Sequence, residues 1–319
     1  MLHLRVISPA ELTDDVLELL DGAVGVVNLV LLPGAARSPK GDLVQFDVAR
    51  EAANEVIERL QRLGLWAEGS IAAEQVDLSL SEAADRAERE APGEGDDAVV
   101  WAEFARRVSD DSRLTWAFLA FLAIATQIAA IGVIVNSPVL IVGAMVLGPE
   151  FGAIAAVCFG LLRGDRRLIG TALRTLAVGF AAAVAVTFAC ALVSRGLGWI
   201  EPSSLTGHKE IEFIVKPDRW SFIVALLAGA AGVLSVTAGK SSALVGVFIS
   251  VTTVPAAGYF AVAAALSRWD DMAWSVAQLG VNIAGMVISG TVTLIVQRAY
   301  WSRFGVRLPL RRPGGPGPG

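Results

Sequence analysis

The chain has 319 residues, 54% of them hydrophobic and 18% charged, whereas ordinary soluble domains carry about 25% charged residues. The net charge of −5 hides a division: residues 1–113 hold 23 acids and 11 bases, a net of −12, and residues 114–319 hold 8 and 15, a net of +7. An acidic soluble part joined to a basic apolar part excludes a single soluble domain and gives no reason to expect a nucleic-acid partner. Cys158 and Cys190 both lie in apolar stretches and read as small hydrophobes, not a disulfide. His3 and His208 are far apart and no Cys/His cluster has zinc spacing, so no metal and no cofactor is expected. The first residues lack a basic start, and Asp14, Asp15 and Glu18 interrupt the apolar run, so no signal peptide is read there.

Leu2–Ile7 alternates as a strand, stopped by Ser8-Pro9. Leu12, Val16, Leu19 and Leu20 have helical spacing, and Gly22 and Gly25 close that helix. Val26–Leu32 is a β-branched run ended by Pro33-Gly34, and the stretch 35–42 reads as a polar turn. Leu43, Val44, Phe46 and Val48 mark a further strand. Val56, Ile57, Leu60 and Leu63 mark a second helix, stopped by Gly64, and Ile71–Leu80 is a weak last strand. Strand, helix, strand, strand, helix, strand is the split βαβ, ferredoxin-like plan. A domain over residues 1–80 is barely large enough for its own core, so docking or oligomerisation is expected. One sheet face is free for assembly or for a small ligand.

Residues 81–113 read as a linker and then an amphipathic helix. The polar part contains Pro92, Gly93 and Gly95, and Asp97 can cap the amphipathic helix. Val100, Trp101, Phe104, Ala105 and Val108 form its apolar stripe opposite Arg106 and Arg107, suited to a membrane interface or to packing on the soluble domain.

Residues 114–300 form the expected transmembrane domain. A spanning helix needs about 20 apolar residues, and six spans can be drawn: Leu114–Val135, Ser137–Leu162, Leu168–Leu197, Trp220–Ala238, Ser242–Leu266 and Met272–Tyr300. Trp116, Trp199, Trp220, Trp269, Trp274 and Trp301 lie near span ends, as interfacial anchors do. With the N-terminus inside, Arg163, Arg166 and Arg167, then Lys240, then the Arg-rich tail all fall on the cytoplasmic side, as the positive-inside rule requires. The tail, residues 301–319, is basic and rich in Pro and Gly, and reads as disordered.

Spans two and five are interrupted in the same way. One contains Gly148-Pro149-Glu150-Phe-Gly152 and the other Thr252-Thr253-Val-Pro255-Ala-Ala-Gly258. Each runs on to an Arg-x-Asp, Arg163/Asp165 and Arg268/Asp270. Proline removes a backbone donor and clashes with the preceding turn, and in a bilayer the freed groups need protein or a water-lined cavity. Matched interruptions in two halves of three spans point to a 3+3 inverted repeat with a site at the breaks. Chance resemblance of two Ala/Gly/Val-rich helices is the competing reading.

Glu150 lies near the middle of its span, where an ionisable group is costly unless it faces a cavity or a partner. A carboxylate beside freed carbonyls can bind a cation or carry a proton. It can also simply face an interface. Ser250, Thr252 and Thr253 can satisfy backbone groups freed by Pro255. Gln278, Asn282, Gly285 and Ser289 share one face of span six, which must meet protein or water. Arg174, Gln127 and Asn136 are further polar groups in the spans. Gly148 and Gly152 permit close helix contact. No nucleophile–base pair appears, so no enzyme is read.

The stretch from Ser137, SPVLIVGAMVLGPEFGAIAAVCFGLLRGDRRLIGTALRTLAVGF, resembles the prokaryotic conserved hydrophobic domain membrane proteins, domain of unknown function family 389. The S-P-V-x-x-x-G-A-M core from Ser137 to Met145 and the G-D-R-R loop from Gly164 to Arg167 carry the resemblance most specifically. It extends over roughly residues 114–300, and the family has a familiar leading α/β segment. Gly148 and Glu150 depart from the family's usual Ser or Ala before the span-two proline and apolar residue after it. The resemblance implies architecture and no particular activity.

Together these readings predict an α-helical polytopic protein of the bacterial plasma membrane with an N-terminal α+β ferredoxin-like domain, both termini cytoplasmic, and a homo-oligomeric assembly. Its expected partners are the lipid bilayer and a small solute or ion. The expected function is a transporter or channel, with the pathway at Gly148, Pro149, Glu150, Gly152, Thr252, Thr253, Pro255, Gln278 and Asn282. The alternative is a membrane-anchored sensor or scaffold whose soluble domain binds a ligand or partner.

Overall fold

A computed structural model of the chain describes residues 1–76, 79–91, 98–205, 218–239 and 252–303. The expected cap at Asp97, His208, the Lys240 loop, Ser250, the first half of span five and the tail beyond Arg303 lie outside the described residues. The chain divides into two compact units, Met1–Phe104 with Gln297–Gly319, and Ala105–Val296.

The first unit holds β1 (Leu2–Ser8), α1 (Thr13–Leu20), β2 (Val26–Arg37), β3 (Lys40–Val48), α2 (Ala53–Arg62), a single turn α3 (Leu65–Glu68), β4 (Ser70–Gln75) and α4 (Glu82–Glu90). The strands make one antiparallel sheet in the order β2-β3-β1-β4, with Leu2 opposite both Val48 and Gln75. The period of two puts Leu2, Leu4 and Val6 on the same buried face as Val44, Phe46 and Val48. There they pack with Val16 and Leu20 of α1 and Val56, Ile57 and Leu60 of α2. The opposite face carries polar cross-strand pairs, among them His3 Nδ1 at 2.7 Å from Asp47 Oδ1.

The β2–β3 hairpin differs from expectation. Pro33-Gly34 does not end the strand, and the segment expected as a polar turn is mostly paired: β2 continues to Arg37, with Ala36 opposite Gly41 and Arg37 opposite Lys40. The register shifts between Leu32 and Ala36, which is where an extra residue can bulge out. Being an edge strand, β2 loses no ladder bond through the missing N–H of Pro33. Gly34 adopts φ 62°, and its N–H donates to Asp42 Oδ1 at 2.7 Å, while the Thr13 hydroxyl donates to Asp42 Oδ2 at 2.8 Å.

Helix α5 (Trp101–Asp111) comes next. Its apolar stripe is buried in protein, since Trp101, Phe104 and Val108 are all inaccessible. Val100 belongs to the core of the first unit. Asn54 of α2 accepts from the Trp101 N–H at 2.9 Å and donates to the Val99 carbonyl at 2.7 Å.

The second unit is helical. It comprises α6 (Trp116–Ile134), α7 (Pro138–Leu147), α8 (Glu150–Arg163), α9 (Arg166–Gly196), α10 (Arg219–Thr237), α11 (Thr253–Ala265) and α12 (Trp269–Ser302), the last running on past its edge. By length and apolarity α6, α9, α10 and α12 can each cross a membrane, and α7 with α8 can form a fifth crossing bent by 52°. The sequence predicts six spans. The sixth would need α11, whose 13 residues extend only about 20 Å at 1.5 Å per residue, together with residues that are not described.

Short-range chemistry sets the helix ends. Ser137 is the N-cap of α7, accepting from the Leu140 N–H, and Pro138 occupies the first position, where its missing N–H costs nothing. Gly164 ends α8 at φ 66°, and Asp165 then caps α9 by accepting from the N–H groups of Arg167 and Leu168. The Gly-Asp-Arg-Arg sequence is thus a helix stop joined directly to a helix start. Asp218 caps α10 through the Ser221 N–H at 2.6 Å. Trp116, Trp199, Trp220, Trp269 and Trp274 project outward, as anchors require, but Trp301 is buried.

The Gly34 N–H and the Thr13 hydroxyl hold the Asp42 carboxyl below its ordinary value of 3.8. A depressed carboxylate stabilises the fold above that value, and the contribution is lost as pH falls through the folded pKa. Asp42→Asn is expected to speed amide hydrogen exchange at Gly34 and its hairpin neighbours at neutral pH. The gap from wild type should close as pH drops below 3.8, and an equal gap at both pH extremes would contradict this account.

Candidate functional site

The break in span two is local and has a clear cause. Pro149 has no N–H to return to the preceding turn, so α7 ends at Leu147. Gly148 turns extended (φ −65°, ψ 123°) and Pro149 becomes the N-cap of α8. The last carbonyls of α7 and the first N–H groups of α8 are then end groups of two short helices, not rungs of one. Pro255 is the third residue of α11, where a missing N–H is tolerated.

Glu150 is the first residue of α8, and Thr252 and Thr253 are the N-cap and first residue of α11. The two helix starts meet. Thr253 Oγ1 donates to Glu150 Oε1 at 2.6 Å. One residue away, Thr252 Oγ1 accepts from Gln278 Nε2 at 3.0 Å and from Asn282 Nδ2 at 2.8 Å. Gln278 and Asn282 are one turn apart on α12, so they reach the same hydroxyl from one face. All five side chains are buried, Glu150 at 6% exposure and Gln278 at 1%. Glu150 Oε2 and Gln278 Oε1 have no hydrogen-bond partner among the described residues. Burial of an ionised group without compensation costs several kcal/mol, and no ion pair to Glu150 occurs among the described residues.

The glycines make the approach possible. A Cβ at Gly148 would collide with Glu150 Oε2 and come within 2.8 Å of Val254 Cγ2. The bare Cα at 148 is therefore the space the carboxylate occupies. Gly152 and Gly258, each three residues after its proline, both seat a neighbouring segment. A Cβ at Gly152 would fall 2.7 Å from Asp111 Cβ, and one at Gly258 would fall 2.9 Å from the Thr126 carbonyl oxygen and the Ala130 nitrogen of α6. Next to Glu150, the ring of Phe151 fills the space above Gly232 of α10.

The structure thus gathers Gly148, Pro149, Glu150, Thr252, Thr253, Gln278 and Asn282 into one buried cluster, with Pro255 starting α11. Gly152 turns instead to Asp111, and the lower half of the α12 stripe packs on α10, where Gly285 meets Ala225 and Ser289 meets Gly229. Arg174 is exposed, and Asn136 takes the turn between α6 and α7 at φ 51°. Asp111 is absent from the sequence-predicted set. It sits on the last turn of α5, and partial burial pushes its carboxyl up, opposed by Arg107 and aided by Asp110. No periodicity marks it, because its partner is a glycine 41 residues later in the chain. No group of three or more His, Cys, Asp or Glu that could hold a metal ion occurs among the described residues.

Two substitutions test this geometry. Thr252→Val removes one acceptor and strands two buried amide donors, and each unmet buried donor costs about 1–3 kcal/mol in water-soluble proteins and somewhat less within bilayers. Gly148→Ala forces the carboxylate away from its seat, an overpacking cost of about 1–3 kcal/mol. Both should lower the thermal midpoint of the detergent-solubilised protein. For Gly148→Ala, the additional loss on adding Thr253→Val should be smaller than in wild type, because the Glu150–Thr253 bond is already strained. Full additivity would contradict the packing described.

Residues 145–288 match the family described as Domain of unknown function (DUF389). That match starts in the last turn of α7 and ends within α12, and so takes in the whole cluster. An uncharacterized protein of Methanocaldococcus jannaschii is 27% identical over 173 residues, an alignment covering 54% of this chain and 52% of that protein. The chain therefore spans about half the length of the relative it matches. No solved structure matches the chain.

Proposed function

Because the chain carries a DUF389 domain over residues 145–288, and because its apolar helices are those of a membrane-embedded protein, we propose that it is a membrane transporter or channel for a small solute or ion. The observation that carries this reading is the meeting of two helix starts, α8 and α11, around a buried carboxylate. Irregular backbone within a bilayer is tolerated where it lines protein or a water-filled cavity, and discontinuous helices of this kind build the binding sites of many secondary transporters. The amides of Gln278 and Asn282 on α12 complete a polar wall that lipid would not support.

The finer architecture belongs to the same proposal. Six spans arranged as two inverted halves are supported by the equivalent placement of Pro149 and Pro255 at helix starts and of Gly152 and Gly258 at close contacts. The strand order β2-β3-β1-β4 supports a ferredoxin-like soluble domain. The basic loop at Arg163, Arg166 and Arg167 supports a cytoplasmic N-terminus in a bacterial plasma membrane. A homo-oligomer is part of the reading, since all four long helices carry exposed Leu, Val or Ile that must meet lipid or a second copy.

The test is flux. Purified full-length protein in proteoliposomes, screened against a panel of ions and small solutes, should pass at least one of them. Glu150→Gln and Pro149→Ala should each change that flux by about tenfold or more, equivalent to about 1.4 kcal/mol in the barrier. Absence of flux across the panel, with defects in cells mapping to residues 1–80 alone, would overturn the proposal in favour of a membrane-anchored sensor or scaffold.

A further inference from the structure

The cluster has one acidic group, Glu150, and among the described residues no basic group is bonded to it. Glu150 makes no ion pair there. Of the basic groups on neighbouring helices, the Arg163 guanidinium lies over the Phe159 ring at 5.4 Å, Arg195 donates to the Ala265 carbonyl at the far end of α11, and Arg174 is exposed. The starts of α8 and α11 contribute about half an elementary charge each. That favours a carboxylate at this point but supplies no donor to Oε2. Oε1 is satisfied by Thr253, and both acceptor positions of the Thr252 hydroxyl are taken by amide donors. Two buried acceptors are left without a donor among the described residues: Glu150 Oε2, which lies at Gly148, and Gln278 Oε1, on the amide that holds Thr252.

We infer that this cluster is a monovalent-cation site, in which a proton or a sodium-sized ion is the countercharge of Glu150. The chemistry narrows the class. An anion would face the carboxylate. Calcium takes six to eight oxygen ligands and magnesium a near-ideal octahedron with retained water, and a divalent ion on one carboxylate would leave a net positive charge buried in a low-dielectric site. A single positive charge cancels a single negative one, and oxygen-only ligands suit a hard cation. The amides on α12 hold Thr252 at the start of α11, and the adjacent Thr253 holds Glu150 at the start of α8, so the hydrogen bonds link α8, α11 and α12 around the site. What the ion does rests on the transport reading above; whether it binds does not.

The experiment therefore reads binding, not flux. A hydrophobic carbodiimide adds to a protonated carboxyl in an apolar site, and the adduct can be located by mass spectrometry on the full-length protein in detergent. The peptide containing Glu150 should be labelled, and labelling should fall several-fold as pH is raised far enough to remove the proton from the carboxyl. At fixed pH, sodium chloride in place of choline chloride should reduce it several-fold if the ion is sodium-sized, and leave it unchanged if the ion is only a proton. Other titratable groups on the surrounding elements are Asp111 against Gly152, Cys158 further along α8, Tyr259 on α11 and Asp271 paired with Arg268 at the start of α12, and the peptide map separates them from Glu150. A second readout guards against poor access of the reagent: the thermal midpoint should respond to pH or to sodium in wild type and lose that response in Glu150→Gln. Gln278→Leu should weaken any sodium effect more than the pH effect. The inference is overturned if neither labelling at Glu150 nor the midpoint responds to pH or sodium in a Glu150-dependent way. Positive binding without flux would sink the transport reading and leave this one standing.

Discussion

A helix in hydrocarbon has no water from which to borrow a hydrogen bond, so each backbone donor it lacks must be answered inside the protein. Pro149 lacks one. The arrangement around Glu150 is a consequence of that deficit: α7 stops, α8 starts at a 52° bend, and the ends of two short helices stand where a single helix would have shown a closed wall. Polar side chains then find use at the break. A carboxylate meets a helix start, a neighbouring helix starts beside it with two threonines, and a third helix offers two amides one turn apart.

The same reasoning explains which side chains are small. Packing in the second unit relies on bare Cα atoms where one chain crosses another: Gly152 under Asp111, Gly179 under Phe118, Gly229 under Met286, Gly232 under Phe151 and Gly258 over α6. Between helices in lipid, association depends on close van der Waals fit and interhelical hydrogen bonds, not on the hydrophobic effect. A glycine at each crossing lets the backbones approach far enough for both.

Much of this is legible in the sequence, and the parts that are not have physical reasons. Apolar length marks the long helices, and hydropathy alone makes Glu150 conspicuous, because a charge in such a run is rare. Helical spacing puts Gln278 and Asn282 on one face. No pattern says that the face meets Thr252, since the pairing spans 26 and 30 residues and depends on how α12 leans. The β2 strand reads short because Pro33-Gly34 is an ordinary stop, and only its position at the sheet edge makes the stop harmless. The apolar stripe of α5 fits a bilayer surface or a protein core equally well by spacing. Spacing also gives no sign of Asn54, whose side chain pins the chain at Val99 and Trp101.

Positions 148 and 150 share a single volume, since whatever one side chain gains the other must give up. In this arrangement a change at one therefore alters the space for the other. A methyl or hydroxymethyl group ahead of the proline would push an acid after it out of this seat, so the smaller residue favours the acid. Were the acid then lost, the vacancy would be open to refilling. Among related chains, the pair of residues flanking this proline should serve as a marker of whether the buried charge is present, readable from an alignment before any coordinates exist.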